Sequence, residues 1–81
     1  MKNLRDVIFE SAKAHFIGHI EKHRANVEIL LENPVGTGEK AGDILEEIEK
    51  ELAEIADYDD KLEMLHKYFS WFNPSIWLPN W

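Results

Sequence analysis

The strongest pattern in this chain is a heptad repeat in its second half. The repeat steps three and four residues at a time through eight positions: Leu45, Ile48, Leu52, Ile55, Asp59, Leu62, His66 and Phe69. This spacing predicts a helix that packs along a second helix at a shallow angle. Asp43 and Glu46 form a capping-box-like pair in front of the repeat, so we expect this helix to cover residues 43–69.

A second helical pattern precedes the repeat and supplies the packing partner. Its stripe consists of Phe9, Phe16, Ile20, Val27 and Leu30, with Ala12, Lys13 and His23 filling the gaps. Asn3 is a suitable N-cap with Asp6 three residues later, and Pro34 cannot continue a helix. We therefore expect a helix over residues 3–33.

Residues 34–42 contain three glycines and predict a connecting loop. The expected fold class is therefore all-α, with an antiparallel two-helix hairpin over residues 1–69. Positions whose numbers sum to about 76 should then face each other across the hairpin. This register places Phe9 against His66, Phe16 against Asp59 or Asp60, and Val27 against Ile48.

A second apolar edge remains beside the two helix stripes, formed by Ile8, Ile17, Leu31, Ile44, Tyr58 and Leu65. The chain has 81 residues and no cysteine, and a domain this small rarely builds a sufficient core without a disulfide, a metal or a partner. We therefore expect a homo-oligomer or docking onto a larger assembly.

Residues 70–81 have a different composition, with all three tryptophans, two of the three prolines and no charged residue. We expect a non-helical aromatic docking tail that folds back on its own hairpin, anchors in another subunit or assembly, or lies in a membrane interface. The acidic helix beside it argues against the membrane alternative. The predicted interface residues are Ile8, Ile17, Leu31, Tyr58, Leu65, Trp71, Phe72, Trp77 and Trp81.

The formal net charge of −7 argues against direct binding to nucleic acid, which requires lysine and arginine for the phosphates. Residues 43–81 hold this entire excess, because residues 1–42 carry equal numbers of acidic and basic groups. The longest uncharged stretch is too short to span a bilayer, and no leader-like pattern precedes the first helix. An intracellular location is therefore expected.

Three histidines, His15, His19 and His23, lie four residues apart, and such a pair of imidazoles can bind a metal. The predicted register brings Asp59 near His15 and His19, which makes a metal site conceivable. The competing interpretation is that histidines in a helix contact bond an opposite carboxylate or set the register. No nucleophile and base pattern is recognisable, so we expect neither an enzyme nor a cofactor.

The loop glycines Gly36 and Gly38, with Lys40 and Arg24, could instead bind an anion such as a nucleotide phosphate. The competing interpretation is a loop that needs glycines to turn.

Several segments resemble short uncharacterised proteins encoded by tailed phages of marine bacteria and cyanobacteria. The similar segments are His19–Leu30, Asn33–Gly36 with Gly38 and Glu39, Asp43–Glu46, and Tyr58–Leu65. The resemblance covers roughly residues 15–69, and the aromatic tail departs from it. It implies a phage protein found in the virion or the host cytoplasm. We expect a virion structural or capsid-associated component, the alternative being an oligomeric anti-defence protein that sequesters a host signalling nucleotide.

Overall fold

The computed structural model of the protein describes residues 3–32 and 41–69, and these form two helices. Helix α1 spans Leu4–Leu31 and helix α2 spans Ala41–Phe69, and the two pack against each other in antiparallel orientation. This part of the chain contains no strand. The predicted all-α helical hairpin is confirmed, while the predictions for the connecting loop and the aromatic tail lie outside the described residues.

The predicted start of α1 is confirmed in atomic detail. The side chain of Asn3 accepts a hydrogen bond from the backbone amide of Asp6 at 2.8 Å, which satisfies one of the free N–H groups of the first turn. The helix ends at Leu31, and the amide of Glu32 still donates to the carbonyl of Glu28 at 3.1 Å. The end falls shortly before Pro34, because a residue that precedes proline disfavours the helical conformation.

Helix α2 begins at Ala41, two residues earlier than the sequence predicted. The predicted role of Asp43 as N-cap is therefore wrong, because Asp43 lies inside the first turn. Its carboxylate still favours the positive end of the helix dipole from that position. At the other end, the Arg5 guanidinium donates a hydrogen bond to the backbone carbonyl of Phe69 and joins the start of α1 to the end of α2.

The predicted register of the hairpin is confirmed at several levels. The rings of Phe9 and His66 meet edge to face with centroids 6.1 Å apart. The Phe16 ring lies 6.2 Å from that of Tyr58, one position from the expected Asp59. His23 bonds Glu51 on the opposite helix. These pairs have number sums close to the predicted value, so the two helices are aligned along their length as expected.

The predicted contact stripe of α1 is also confirmed. All eight of its positions are buried or half-buried in the structure: Phe9, Ala12, Lys13, Phe16, Ile20, His23, Val27 and Leu30. His19 and Asn26 join them at the edge of the stripe.

The predicted contact stripe of α2 is partly wrong. Ile48, Ile55 and Leu62 are half-buried as expected, but Leu45 and Leu52 are 65% and 51% exposed. The remaining predicted positions, Asp59, His66 and Phe69, are also exposed. The contact stripe of α2, hereafter the seam of α2, consists of Ile44, Ile48, Glu51, Ile55, Tyr58, Leu62 and Leu65, with Met64 half-buried at its edge. Relative to the prediction the helix is turned by roughly 50°, half the rotation between successive residues.

Three residues that were expected beside the contact between the helices lie within it. Ile44 is 8% exposed and is the most buried apolar residue of the described chain, and Tyr58 and Leu65 are half-buried. The reason lies on the opposite helix, where His23 and Asn26 need a polar partner that Glu51 provides and Leu52 could not.

The core between the helices is thin. Among the described residues only Ile44 and His23 count as buried, and no side chain is less than 2% exposed. Several large apolar side chains remain on the surface instead, including Leu4 at 72% and Ile29 at 67% exposure. Neither described helix has an apolar stretch long enough to cross a membrane.

Gly18 offers a direct test of helix stability in the middle of α1. A Cβ atom built on Gly18 meets no other atom within 4 Å, so alanine fits there without a clash. Gly18→Ala should raise the free energy of unfolding by about 0.5–1 kcal/mol, because glycine loses more backbone entropy in a helix than alanine does. Urea denaturation followed by circular dichroism measures this change. A variant less stable than the wild type would show that this position requires glycine, which has no side chain.

Candidate functional site

A polar layer interrupts the seam about two thirds of the way along α1. It consists of His23 and Asn26 on α1 and Glu51 on α2. The His23 Nδ1 atom and the Asn26 Nδ2 atom both lie 2.7 Å from the same carboxylate oxygen, Oε1 of Glu51. The layer therefore joins the two helices through one shared acceptor in a region that is otherwise mostly apolar.

The chemistry of the carboxylate determines how the His23 ring is protonated in this layer. An ionised carboxylate can only accept, so Nδ1 of His23 carries the hydrogen that it donates to Glu51. The other ring nitrogen, Nε2, points toward Glu54, whose carboxylate oxygen is 4.0 Å away. The glutamate thus fixes both the orientation and the tautomer of the imidazole.

A stack of aromatic rings continues from the polar layer toward the N-terminal half of α1. The His19 ring lies parallel to the Tyr58 ring with centroids 4.3 Å apart, and His15 meets His19 edge to face at 4.6 Å. The Lys61 ammonium lies 4.8 Å from the centre of the Tyr58 ring and is ion-paired with Asp57 at 2.8 Å. Tyr58 of the facing helix therefore stacks on His19, and the Lys61 ammonium lies over the Tyr58 ring.

The pKa values of Glu51 and His19 are shifted by these contacts. The hydrogen bonds from His23 and Asn26 lower the pKa of Glu51 below its usual 4.5, because they stabilise the charged carboxylate. Partial loss of solvent and the neighbouring His15 and Lys22 lower the pKa of His19 below its usual 6.5, because both disfavour a further positive charge.

These shifts predict that the hairpin loses stability on acidification. Each lowered pKa means that the unfolded chain binds protons more readily than the folded one. The contribution of His19 to the free energy of unfolding is present above pH 6.5 and is lost as the pH falls below that value. The contribution of Glu51 is present above pH 4.5 and is lost below it. Thermal unfolding measured from neutral to acidic pH should show falling midpoints.

The matched variant His19→Gln isolates the first of these two steps. It removes the group whose pKa folding lowers below 6.5, so the variant should lose less stability than the wild type as the pH falls below that value. Equal losses in the two proteins would contradict the assignment to His19.

Among the described residues, the contacts of His23 do not include a nucleophile. A glutamate and the histidine that it orients are two of the three members of a catalytic triad, and the third, a nucleophile, must lie within hydrogen-bond reach of the other ring nitrogen. The groups around Nε2 of His23 are the Glu54 carboxylate and the Tyr58 ring, whose centroid is 6.3 Å from that of His23. In the described part of the chain, this arrangement joins the two helices.

The predicted metal site does not assemble in residues 3–32 and 41–69. No group of three histidine, cysteine, aspartate or glutamate side chains there is arranged to hold a metal ion. The rings of His15 and His19 are close to each other, but Asp59 is exposed on α2 and lies outside the seam. The competing interpretation, a histidine of the seam bonded to an opposite carboxylate, is confirmed for His23.

The predicted interface residues divide into three groups. Ile8, Ile17 and Leu31 are exposed at 59%, 39% and 64%, whereas Tyr58 and Leu65 contribute to the seam. Trp71, Phe72, Trp77 and Trp81 lie outside the described residues. The structure therefore leaves Ile8, Ile17 and Leu31 accessible for a further contact, while Tyr58 already stacks on α1.

Of the predicted anion-binding residues, only Arg24 lies in the described ranges. Its guanidinium forms an exposed ion pair with Glu21 at 2.8 Å on the same helix. Gly36, Gly38 and Lys40 lie outside those ranges.

Sequence reasoning missed Asn26 and Glu51 as members of the site. A detectable signal was present, because Glu51 lies seven residues after Ile44 and seven before Tyr58. Reading the heptad from Ile44 instead of Leu45 places a glutamate opposite His23.

Comparisons with known proteins give no relative for this chain: no family model matches it, and neither a curated protein nor a solved structure is significantly similar.

Proposed function

We propose that this chain is a small non-enzymatic phage protein that acts by assembly, as a structural or capsid-associated component of the virion. The phage context comes from the resemblance described above. The assembly role is supported by the thin core of the hairpin, in which only Ile44 and His23 count as buried among the described residues. A helix pair that buries this little stabilises itself poorly and gains from a further partner.

The observation that carries the proposal is the orientation of α2. The polar layer turns Glu51 and Ile44 toward α1 and leaves Leu45 and Leu52 in contact with solvent. Leu45 and Leu52 lie seven residues, about two helix turns, apart on the same side of α2, and exposed apolar side chains repeated on one side of a helix are suited to contact with another surface. The three tryptophans of residues 70–81 add residues of the type that dominates binding energy in protein interfaces.

Deletion of residues 70–81 tests the proposed assembly role. In cells infected by the phage that encodes the protein, the tagged full-length chain should co-purify with virions, and the deletion variant should not. The full-length variant with Trp71, Trp77 and Trp81 changed to serine separates the loss of aromatic contacts from the loss of chain length. Undiminished incorporation of both variants would contradict a docking role of the tail, and absence of the wild type from virions would contradict the proposed function.

The alternative of nucleotide sequestration predicts a different result in native mass spectrometry. An oligomer that carries additional mass after purification would identify a bound ligand and support that alternative. A bare oligomer or monomer is the result expected for a structural component. The ion pair of Arg24 with Glu21 gives no specific support to phosphate binding.

A further inference from the structure

The open end of the hairpin, where α1 begins and α2 ends, carries exposed apolar side chains. Leu4 and Ile8 lie one turn apart on α1 with 72% and 59% exposure, and Tyr68 of α2 is 44% exposed. The edge-to-face contact of Phe9 with His66 fixes the level at which these helix ends meet. Ile8 and Tyr68 therefore lie at nearly the same level of the hairpin.

These apolar residues share one side of the molecule. Ile8 directly precedes the contact residue Phe9, and Met64 directly precedes the seam residue Leu65. In an antiparallel pair of right-handed helices, the positions before the contact residues turn toward the same side, because the reversed direction of one helix reverses its sense of rotation. Residues four positions away lie on the same helix face. Four residues therefore form one surface, which we call the open-end surface: Leu4, Ile8, Met64 and Tyr68.

The acidic side chains at this end of the hairpin lie elsewhere. Glu10, Asp59 and Glu63 directly follow contact positions, which turns them by about 100° toward the other side. Asp60 is two positions beyond a seam residue and faces away from α1, and Asp6 is ion-paired within its own helix turn at 3.8 Å. The open-end surface is therefore apolar and does not carry the acidic excess of the chain.

The cations that border the open-end surface already have partners. Arg5 donates a hydrogen bond to the last carbonyl of α2, and Lys61 is ion-paired with Asp57 at 2.8 Å. The Lys67 ammonium lies 5.3 Å from the centre of the Tyr68 ring. A group that covers this surface needs apolar side chains and no charge, and aromatic rings suit its cationic border.

Met64 differs from the equivalent positions of α2. It precedes a seam residue and is half-buried. The two helices treat all such positions alike, so the burial of Met64 favours an additional cover at the open end. The residues that precede the other six seam positions are all exposed: Asp43, Glu47, Glu54, Lys50, Asp57 and Lys61.

The segment that follows α2 has the composition and length for this role. Residues 70–81 continue directly from Phe69 at the open end, carry no charge and contain all three tryptophans. Twelve extended residues span about 40 Å, whereas neighbouring helix axes are about 8–10 Å apart, so the segment reaches Leu4 and Ile8 without strain. Pro74 and Pro79 restrict the free segment and reduce the entropy lost when it docks.

We propose that residues 70–81 fold back onto the open-end surface of their own hairpin and cover Leu4, Ile8 and Met64 while the protein is free. The contact gives the thin hairpin further apolar burial. The inference rests on the proposed function for its consequence, which is that docking of the tail on a virion partner competes with this internal contact.

Intrinsic tryptophan fluorescence tests the docking directly. All three tryptophans lie in residues 70–81, so the fluorescence of the full-length protein reports on the tail alone. Compared with a synthetic peptide of residues 70–81, the protein should emit at shorter wavelength. Its quenching constant with acrylamide should be at least twofold lower, because docked indole rings are shielded from solvent. Equal emission and equal quenching in protein and peptide would overturn the proposal.

A matched pair of variants tests the location. Ile8→Glu places a charge in the open-end surface and should raise the quenching constant to that of the peptide. Ile29→Glu changes a similarly exposed isoleucine of the same helix, about 30 Å toward the connecting loop, and should keep the wild-type value. An Ile8→Glu variant that quenches like this control would overturn the proposed location.

A second variant guards against an effect on folding. Circular dichroism should show equal helix content in the wild type and both isoleucine variants, because Ile8 and Ile29 lie outside the contact stripe of α1. Leu4→Glu adds a negative charge in the first turn of α1, which favours the helix, and should expose the tryptophans as Ile8→Glu does. Tryptophans that stay shielded in a helical Leu4→Glu variant would contradict the open-end surface as the docking site.

Dilution distinguishes a tail held by its own hairpin from one held by a second copy. An internal contact predicts the same quenching constant at every protein concentration, with a monomer in sedimentation velocity. A quenching constant that rises to the peptide value as an oligomer dissociates would overturn docking within one chain.

These results are separable from a failure of the proposed function. A docked tail in a protein that is absent from virions would overturn the virion role and leave the internal contact standing. A free protein with solvent-exposed tryptophans that still co-purifies with virions would overturn the internal contact and leave the virion role standing.

Discussion

His23→Ala is expected to lower the free energy of unfolding by about 2 kcal/mol. The substitution removes the imidazole that is most enclosed between the helices, with 9% exposure, and leaves Glu51 with Asn26 as its remaining recorded partner across the seam. The His23–Glu51 hydrogen bond is partly buried, and the loss of a hydrogen bond to a charged group costs about 1.5–3 kcal/mol. Alanine also improves helix propensity, so a measured loss reflects the tertiary contact and not the helix itself.

His15→Ala is the matched control for this measurement. It deletes the same side chain from the same helix at an exposed position, where the imidazole contacts neighbouring rings of α1. Urea denaturation at one fixed protein concentration, near pH 7.5, should give little change for His15→Ala and a clear decrease for His23→Ala. Equal effects of the two substitutions would show that the polar layer does not join the helices.

The apolar replacement of the whole layer should behave differently from the single substitution. When His23, Asn26 and Glu51 are all changed to leucine, no polar group is left unpaired, and stability should be retained or increased. The layer then serves to select one alignment of the two helices, as polar residues do in coiled coils. The leucine variant should show more than one set of amide signals in nuclear magnetic resonance spectra, and the wild type a single set.

Ile44→Ala is expected to lower the free energy of unfolding by about 2–3 kcal/mol. Ile44 is 8% exposed, and truncation of a buried isoleucine to alanine removes three carbon atoms from the contact and leaves a cavity. The value lies at the lower end of the range for such substitutions because a two-helix contact can partly close around the gap.

The control for Ile44→Ala is Ile29→Ala. It deletes the same atoms from a side chain that is 67% exposed, and surface substitutions usually change stability by less than about 0.5 kcal/mol. The comparison tests the rotation of α2 directly, because the sequence-based stripe assigned Leu45 to the contact and Ile44 to its side. An Ile44→Ala variant as stable as Ile29→Ala would contradict the seam described here.

The sequence predicted the positions of the two helices and the levels at which they meet. The two periodic segments gave both helices, and the Asn3 cap was confirmed because a short polar side chain before a helix has one favoured use. The register was predicted because the short segment between the two periodic patterns limits which levels of the two helices can meet. The contact stripe of α1 was predicted because its apolar residues form a single series with one heptad phase.

The rotation of α2 about its own axis could not be predicted in the same way. Two overlapping heptad series share Ile48, Ile55 and Leu62. One adds Leu45 and Leu52 but also Asp59 and His66, and the other adds Ile44, Tyr58 and Leu65 but also Glu51. Burial of apolar area alone does not separate the two series clearly. The observed series contains Glu51 and Tyr58, which meet His23 and His19 across the contact.

The sequence by itself therefore determined the two helices, their order, their alignment and the presence of a histidine between them. Only the tertiary structure decided which side of α2 faces α1 and which leucines remain outside. The physical reason is that helix periodicity is a local property of one segment, whereas a buried hydrogen bond requires a particular group on the other segment. The hydrogen bonds of His23 and Asn26 to Glu51, together with the burial of Ile44, hold this side of α2 against α1 and leave Leu45 and Leu52 exposed.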